Sequence, residues 1–177
     1  IGRRQRQMCI RDRKNIDPKD VENSLPISLG LPAGPGASCG IAVFTAERAE
    51  ELGKKNKKVI LVREETSPED IHGMHYSEGI LTSRGGLTSH AALVARGWGK
   101  SCVVGCQNLT IDKSHTFAKI GDKKIKEGDH ITLNGSSGDI YLGKMRLFQN
   151  PLDNTGPLSL LLSCLLYTSP SPRDGTK

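Results

Sequence analysis

Aromatic residues are scarce in this chain: three Phe, three Tyr and one Trp make up 4% of 177 residues. With 36% hydrophobic residues overall, a core has to be built from Val, Ile, Leu and Ala. No apolar run approaches the roughly 20 residues that a membrane-spanning helix needs. The N-terminus also lacks the apolar segment of a secretory signal. These absences predict a soluble, cytoplasmic protein without a membrane partner. Cysteine is sparse, with five in all, and Cys9 and Cys164 lie in end segments set aside below. The odd remainder, Cys39, Cys102 and Cys106, does not form a disulfide framework. The Cys102-x-x-x-Cys106 spacing lacks the second ligand pair of a zinc site, so buried thiols in a reducing cytosol are expected.

The net charge of +6 and the pI near 9.1 raise the question of nucleic acid. The charge lies mostly at the ends. Residues 3–13, RRQRQMCIRDR, hold five Arg against one Asp, and residues 164–177 hold Arg173 and Lys177 against Asp174. Both ends resemble the two strands of a translated transposon-type sequencing adapter, in the orientation expected of flanks. Segments 1–13 and 164–177 are therefore read as adapter-like scars. A nucleic-acid partner is not expected once they are set aside.

Between the ends, residues 14–28 are polar and Pro-interrupted and read as a linker. LGLPAGPGASCG (29–40) is a turn-rich entry. IAVF (41–44) reads as a strand, followed by a helix capped by Thr45 and ended by Gly53. VILVR (59–63) is a buried-type strand without alternation. SPEDI (67–71) starts a short helix with Pro in its first turn. GILT (79–82) is a strand, residues 83–88 form a turn, residues 89–96 a helix stopped by Gly97, and SCVVG (101–105) a fourth strand. Short strands around 116–120, 130–133 and 139–142 follow, punctuated by Gly-Asp turns. The expected fold is an α/β core with a β-rich addition, over 29–143. Residues 144–163 read as a truncated linker.

TSRGGLTSHAALVAR (82–96) places a histidine between a Gly-Gly turn and an apolar helix. Ser89 or Thr88 caps the helix, putting His90 in its first turn. Free backbone amides and the positive end of the helix dipole favour an anion there. Gly85 and Gly86 permit close backbone approach, and Arg84 or Arg96 offers a forked donor to phosphate oxygens. A neutral imidazole so placed is a nucleophile that can carry a phosphoryl group. Taken alone, the local pattern also fits a histidine that merely hydrogen-bonds near a helix start.

RGGLTSHAALVARG (84–97) resembles the phosphohistidine signature of the enzymes that use phosphoenolpyruvate, with His90 matching the phosphorylated residue. ILVREETSPEDIHGMHYSEGILTSRGGLTSHAALVARGWGKSCVVG (60–105) is similar to the pyruvate, phosphate dikinases. GLPAGPGASCGIAVF and IKEGDHITLNGSSGDIYLG resemble the borders of their central domain. Phosphoenolpyruvate synthases usually carry Thr-Cys-His where this chain has Thr88-Ser89-His90, and Enzyme I of the sugar phosphotransferase system usually follows its histidine with Thr-Ser rather than Ala91-Ala92.

The resemblance implies a swivelling β/β/α phosphohistidine domain, with a mixed sheet, packed helices and a β-rich layer. It implies that His90 takes a pyrophosphoryl group from ATP, passes the terminal phosphoryl to inorganic phosphate, and hands the remaining one to pyruvate. Arg84, Gly85, Gly86, Thr88 and Ser89 become the phosphate environment, and Thr88 matches a threonine reversibly phosphorylated in plant dikinases. The partners implied are an ATP-grasp domain and a phosphoenolpyruvate/pyruvate barrel of the same polypeptide, with Mg2+ bound by those domains, in a homodimeric parent enzyme. The fragment alone is expected to be inactive. The alternatives are an orphan swivelling domain used as a protein-docking module, or a phosphocarrier of the synthase or Enzyme I type.

Other histidines carry less. His72 and His75 stand three apart on a short helix without Cys or carboxylate ligands nearby, so no metal site is expected. His115 and His130 read as strand-edge surface residues, and Trp98 as a packing or docking contact.

Overall fold

Every residue of VILVR except the arginine is buried, and the layering of the molecule explains why. The structure, a computed structural model, describes residues 14–112 and 116–149. One compact unit runs from Arg13 to Phe148. The elements in chain order are β1 (Lys14–Ile16), α1 (Pro18–Asn23), β2 (Ser28–Leu29), β3 (Leu31–Gly34), β4 (Ala37–Val43), α2 (Ala46–Lys54) and β5 (Val59–Arg63). A 3-10 turn (Pro68–Asp70) leads into α3 (Ile71–Tyr76), then β6 (Gly79–Thr82), α4 (His90–Trp98), β7 (Ser101–Val104) and β8 (Leu109–Ile111). The last strands are β9 (Phe117–Ile120), β10 (Lys123–Lys126), β11 (His130–Asn134), β12 (Asp139–Leu142) and β13 (Leu147–Gln149).

Eight strands form the main sheet in the order β2-β12-β11-β4-β5-β6-β7-β3. Its centre, β4 to β7, is parallel, and the strands on either side are antiparallel. Each parallel step crosses over through helix, and because the order advances in one direction, right-handed crossovers put α2, α3 and α4 on one face. Val59, Leu61, Ile80, Cys102 and Val104 meet Ala49, Met74, Ala91, Ala92 and Ala95 there. A second sheet, β10-β9-β8, covers the opposite face, where Ile60, Val62, Leu81 and Val103 meet Leu109, Ile111, Ala118, Ile120 and Ile125. β5 is thus covered on both sides, and a strand so covered shows no alternation. The result is a β/β/α layering, with the eight-stranded sheet between the small sheet and the helices.

Several local expectations shift. Gly53 stays inside α2, which ends at Lys54, because α2 packs on α3 so closely that a Cβ at Gly53 would lie 2.5 Å from the Tyr76 Cβ. α4 runs past Gly97 to Trp98 and is closed by Gly99 at φ 67°. Leu31–Gly34, read as a turn, is an edge strand on β7, a place that tolerates Pro32. β11 and β12 join the main sheet beside β4, and only β9 of the three late strands foreseen enters the smaller sheet. The stretch read as a linker, 14–28, holds β1 and α1, with Asp17 capping α1 through its side chain. Segments 1–13 and 150–177, with the scars assigned there, lie outside the described residues, as does His115.

Among the described residues no helix is long and apolar enough to cross a membrane. Cys39, Cys102 and Cys106 are free and buried. Burial pushes the Cys102 thiol up to about 12.

Candidate functional site

β6 ends at Thr82, and its last residues and those just after it are tied on every side. The Thr82 hydroxyl donates to the Arg84 carbonyl at 2.7 Å, and the Thr82 carbonyl accepts the Cys106 amide at 3.0 Å. Ser83 Oγ donates to the Leu109 carbonyl at 2.8 Å. On the β5 side, the Ser83 amide donates to the Arg63 carbonyl at 3.1 Å and the Arg84 amide to the Glu64 carbonyl at 2.7 Å. The chain then reverses at Gly85, whose φ of 105° disfavours any residue with a Cβ. The turn folds back on the helix start: a Cβ on Gly85 would lie 3.0 Å from the Ser89 Cβ.

Ser89 is the N-cap of α4. Its extended backbone sends the carbonyl to the Leu93 amide at 3.0 Å, and its Oγ accepts the Ala92 amide at 3.5 Å. His90 is therefore the first residue of the helix, half-buried, with Ala91, Ala92 and Ala95 seating the helix on the sheet. Ring atom Nε2 of His90 is buried and has no hydrogen-bond partner among the described residues. Thr88 and Leu87 are exposed.

The two arginines separate. Arg96, in the last turn of α4, donates its Nε to the Ala33 carbonyl at 2.7 Å and a terminal nitrogen to the Leu87 carbonyl. It braces the loop before the helix against β3 and is spent on carbonyls. Arg84 is exposed, and its guanidinium makes no hydrogen bond or ion pair with another described residue. Of the two forked donors foreseen, Arg84 is the one uncommitted among the described residues. The turn thus unites Arg84, Gly85, Gly86, Thr88, Ser89 and His90 in one segment, closed at its base by the Ser89 amide bonding the Gly86 carbonyl at 3.0 Å.

Sequence reasoning missed the support beneath this turn. Arg63 and Asp70 form an ion pair at 3.2 Å, with the Asp70 side chain only 7% exposed. In the sequence Arg63 reads as a strand end and Asp70 as a first-turn acid, and no spacing links either to residue 84. His72 and His75 are exposed, and His75 packs edge-on against Tyr76 and Trp98. His130 is exposed on β11.

His90 thus stands half-buried at the start of a helix, behind the turn at Gly85. Residues 55–138 match the family described as PEP-utilising enzyme, mobile domain. The similar curated proteins are named pyruvate, phosphate dikinases. The chain is 57% identical over 131 residues to "Pyruvate, phosphate dikinase 1, chloroplastic" of Arabidopsis thaliana, a match covering 74% of this chain and 14% of the relative. It is 57% identical over 134 residues to "Pyruvate, phosphate dikinase" of Rickettsia felis, covering 76% and 15%. These matches support a central domain of the dikinase kind. The chain spans about 14% of the length of the curated relatives it matches. A solution structure of Enzyme I aligns with 63% of this chain and 38% of that one, at 23% identity and a TM-score of 0.35.

Proposed function

We propose that this chain is the phosphocarrier part of a pyruvate, phosphate dikinase, in which His90 carries a phosphoryl group between two remote sites. The observation that carries the reading is His90 at the first position of α4, behind a Gly85 turn that also presents Arg84, unpaired among the described residues. A ring nitrogen attacks the β-phosphorus of ATP, and AMP leaves. The terminal phosphoryl of the pyrophosphohistidine passes to inorganic phosphate as diphosphate. The phosphoryl left on the ring goes to pyruvate, giving phosphoenolpyruvate. What this chain supplies is position and charge. A helix start favours an anion by about 0.3–1 kcal/mol, and Arg84 adds a forked donor.

Nε2 has to leave its buried place to be phosphorylated. An unmet buried polar atom costs about 1–3 kcal/mol, so the outward turn of the ring recovers stability as it exposes the nucleophile.

The ATP-grasp domain, the phosphoenolpyruvate/pyruvate barrel and the Mg2+ they hold belong to the longer polypeptide, a homodimer in this proposal. Among the described residues no group of three or more His, Cys, Asp or Glu stands together to hold a metal, and no step is assigned to one here. Three buried free thiols fit a reducing compartment such as the cytoplasm. Thr88 is exposed two residues before His90. A phosphate there, at about −1.5 to −2 charge, would occupy Arg84 and repel the incoming donor.

The test mixes this chain with the barrel domain of a dikinase relative, magnesium and labelled phosphoenolpyruvate. One acid-labile, base-stable label should appear at His90. His90→Ala should abolish it and His130→Ala should leave it unchanged. Persistent label on His90→Ala would mean another nucleophile.

A further inference from the structure

We propose that Arg63 and Asp70 are positioning residues that hold the phosphoryl-accepting turn in register with the sheet. This deepens the phosphocarrier reading of His90 and rests on it. In the β5–β6 pair the last registered partners are Arg63 and Thr82. Two hydrogen bonds continue the ladder beyond them, Ser83 amide to Arg63 carbonyl at 3.1 Å and Arg84 amide to Glu64 carbonyl at 2.7 Å. The second is the shorter, yet its acceptor belongs to a loop with no strand of its own.

Asp70 supplies what that loop lacks. Its Oδ2 accepts the Ser67 amide at 3.0 Å and the Ser67 hydroxyl at 3.3 Å, closing residues 67–70 into a capped turn. Its Oδ1 lies 3.2 Å from the Arg63 guanidinium. Arg63 in turn donates to the Phe44 carbonyl at 3.3 Å, just beyond the end of β4. The loop 64–67 is thereby clamped at both ends, Arg63 at one and Ser67 at the other, and both ends are gripped by one carboxylate. The Glu64 carbonyl sits inside the clamp and holds the backbone of Arg84.

A merely structural role does not require this chemistry. Buried ion pairs exchanged for well-packed apolar residues are often neutral or stabilising. The pair sits at the carboxyl ends of the parallel strands, where open α/β sheets place their ligand-handling residues. Besides the Phe44 carbonyl, it bears on the carbonyls that fix Ser83 and Arg84.

The experiment uses the 177-residue chain and phosphoramidate, a small donor that needs no partner domain. A ring nitrogen forms the N–P bond as the donor's P–N bond breaks, and ammonia leaves with the ring proton. In Asp70→Asn, exchange of the Ser83 and Arg84 amides should rise at least tenfold relative to the Leu81 amide. Labelling of His90 should slow at least fivefold at a temperature where the variant is folded. If Asp70→Asn does not fold, Ser67→Ala removes a single contact and should raise the same two exchange rates about threefold. Exchange at Ser83 and Arg84 that rises no more than at Leu81 overturns the proposal, as does unchanged labelling with raised exchange. An unaltered chain that takes no label at His90 overturns the phosphocarrier reading, and the positioning role falls with it. Label on the unaltered chain together with indifferent variants sinks the bracket alone.

Discussion

Gly85 is where backbone shape and chemistry can be pulled apart. At a φ of 105° a side chain is strained, and its Cβ would press on Ser89. Gly85→Ala should cost about 1–2 kcal/mol in thermal unfolding, and it should slow His90 labelling without touching the nucleophile. Ser89→Ala should cost less. The cap bond is long, 3.5 Å, so the loss should sit at the low end of the range for caps, about 0.5 kcal/mol.

Cys102 offers a test with a sign. Its folded thiol titrates at about 12 against an ordinary 9.0, because burial opposes the thiolate. Above about pH 9 the unfolded chain sheds this proton and the folded chain keeps it, so unfolding is favoured as the pH rises. Stability should be insensitive to this group below pH 9 and lost between 9 and 12. At pH 10.5 the loss should approach about 2 kcal/mol at roughly 1.4 kcal/mol per unit. Denaturant titrations of the unaltered chain and Cys102→Ala, compared at pH 8 and 10.5, isolate the effect.

Among elements, those buried on both faces were the legible ones. β5 and β6 announce themselves as apolar runs, and α4 as an alanine-rich segment with a cap, since each meets the core along most of its length. β10 does not. KKIK shows no apolar run, because a strand at the rim of the small sheet directs only Ile125 inward. Ile125→Ala should therefore cost about 2–5 kcal/mol. Lys124 lies 3.5 Å from the Phe117 ring centroid but pairs directly with Lys119 across the strands. An exposed cation–π contact gains about 0.5–1 kcal/mol, and facing like charges oppose it, so Lys124→Ala should move the unfolding midpoint little. The candidate site divides in the same way. His90, Arg84 and the cap lie within a few residues of one another and could be read together. The role of Arg96 turned on which carbonyls lay within reach, and that of Arg63 and Asp70 on a strand neighbour about twenty residues away. Such relations exist only after folding.

At the scale of the whole unit, two apolar layers share the central strands, so neither can dissolve while the other persists. Trp98 reports on the helix layer, and far-UV circular dichroism is dominated by the sheets. Both should give one coincident unfolding transition. An earlier transition in the dichroism alone would mean that the β8–β10 layer melts by itself.

β1 and β13 form a two-stranded ribbon of their own. Around it, the Asp17 amide bonds the Arg146 carbonyl at 3.0 Å, and Asp20 accepts the Arg146 amide at 2.9 Å. The first and last described strands are consequently held side by side on the body of the unit, where Ile16 packs with Ala37, Tyr141 and Met145 and Leu147 rests against them. Pulling either strand away would uncover that small apolar cluster as well as break the ribbon's own hydrogen bonds.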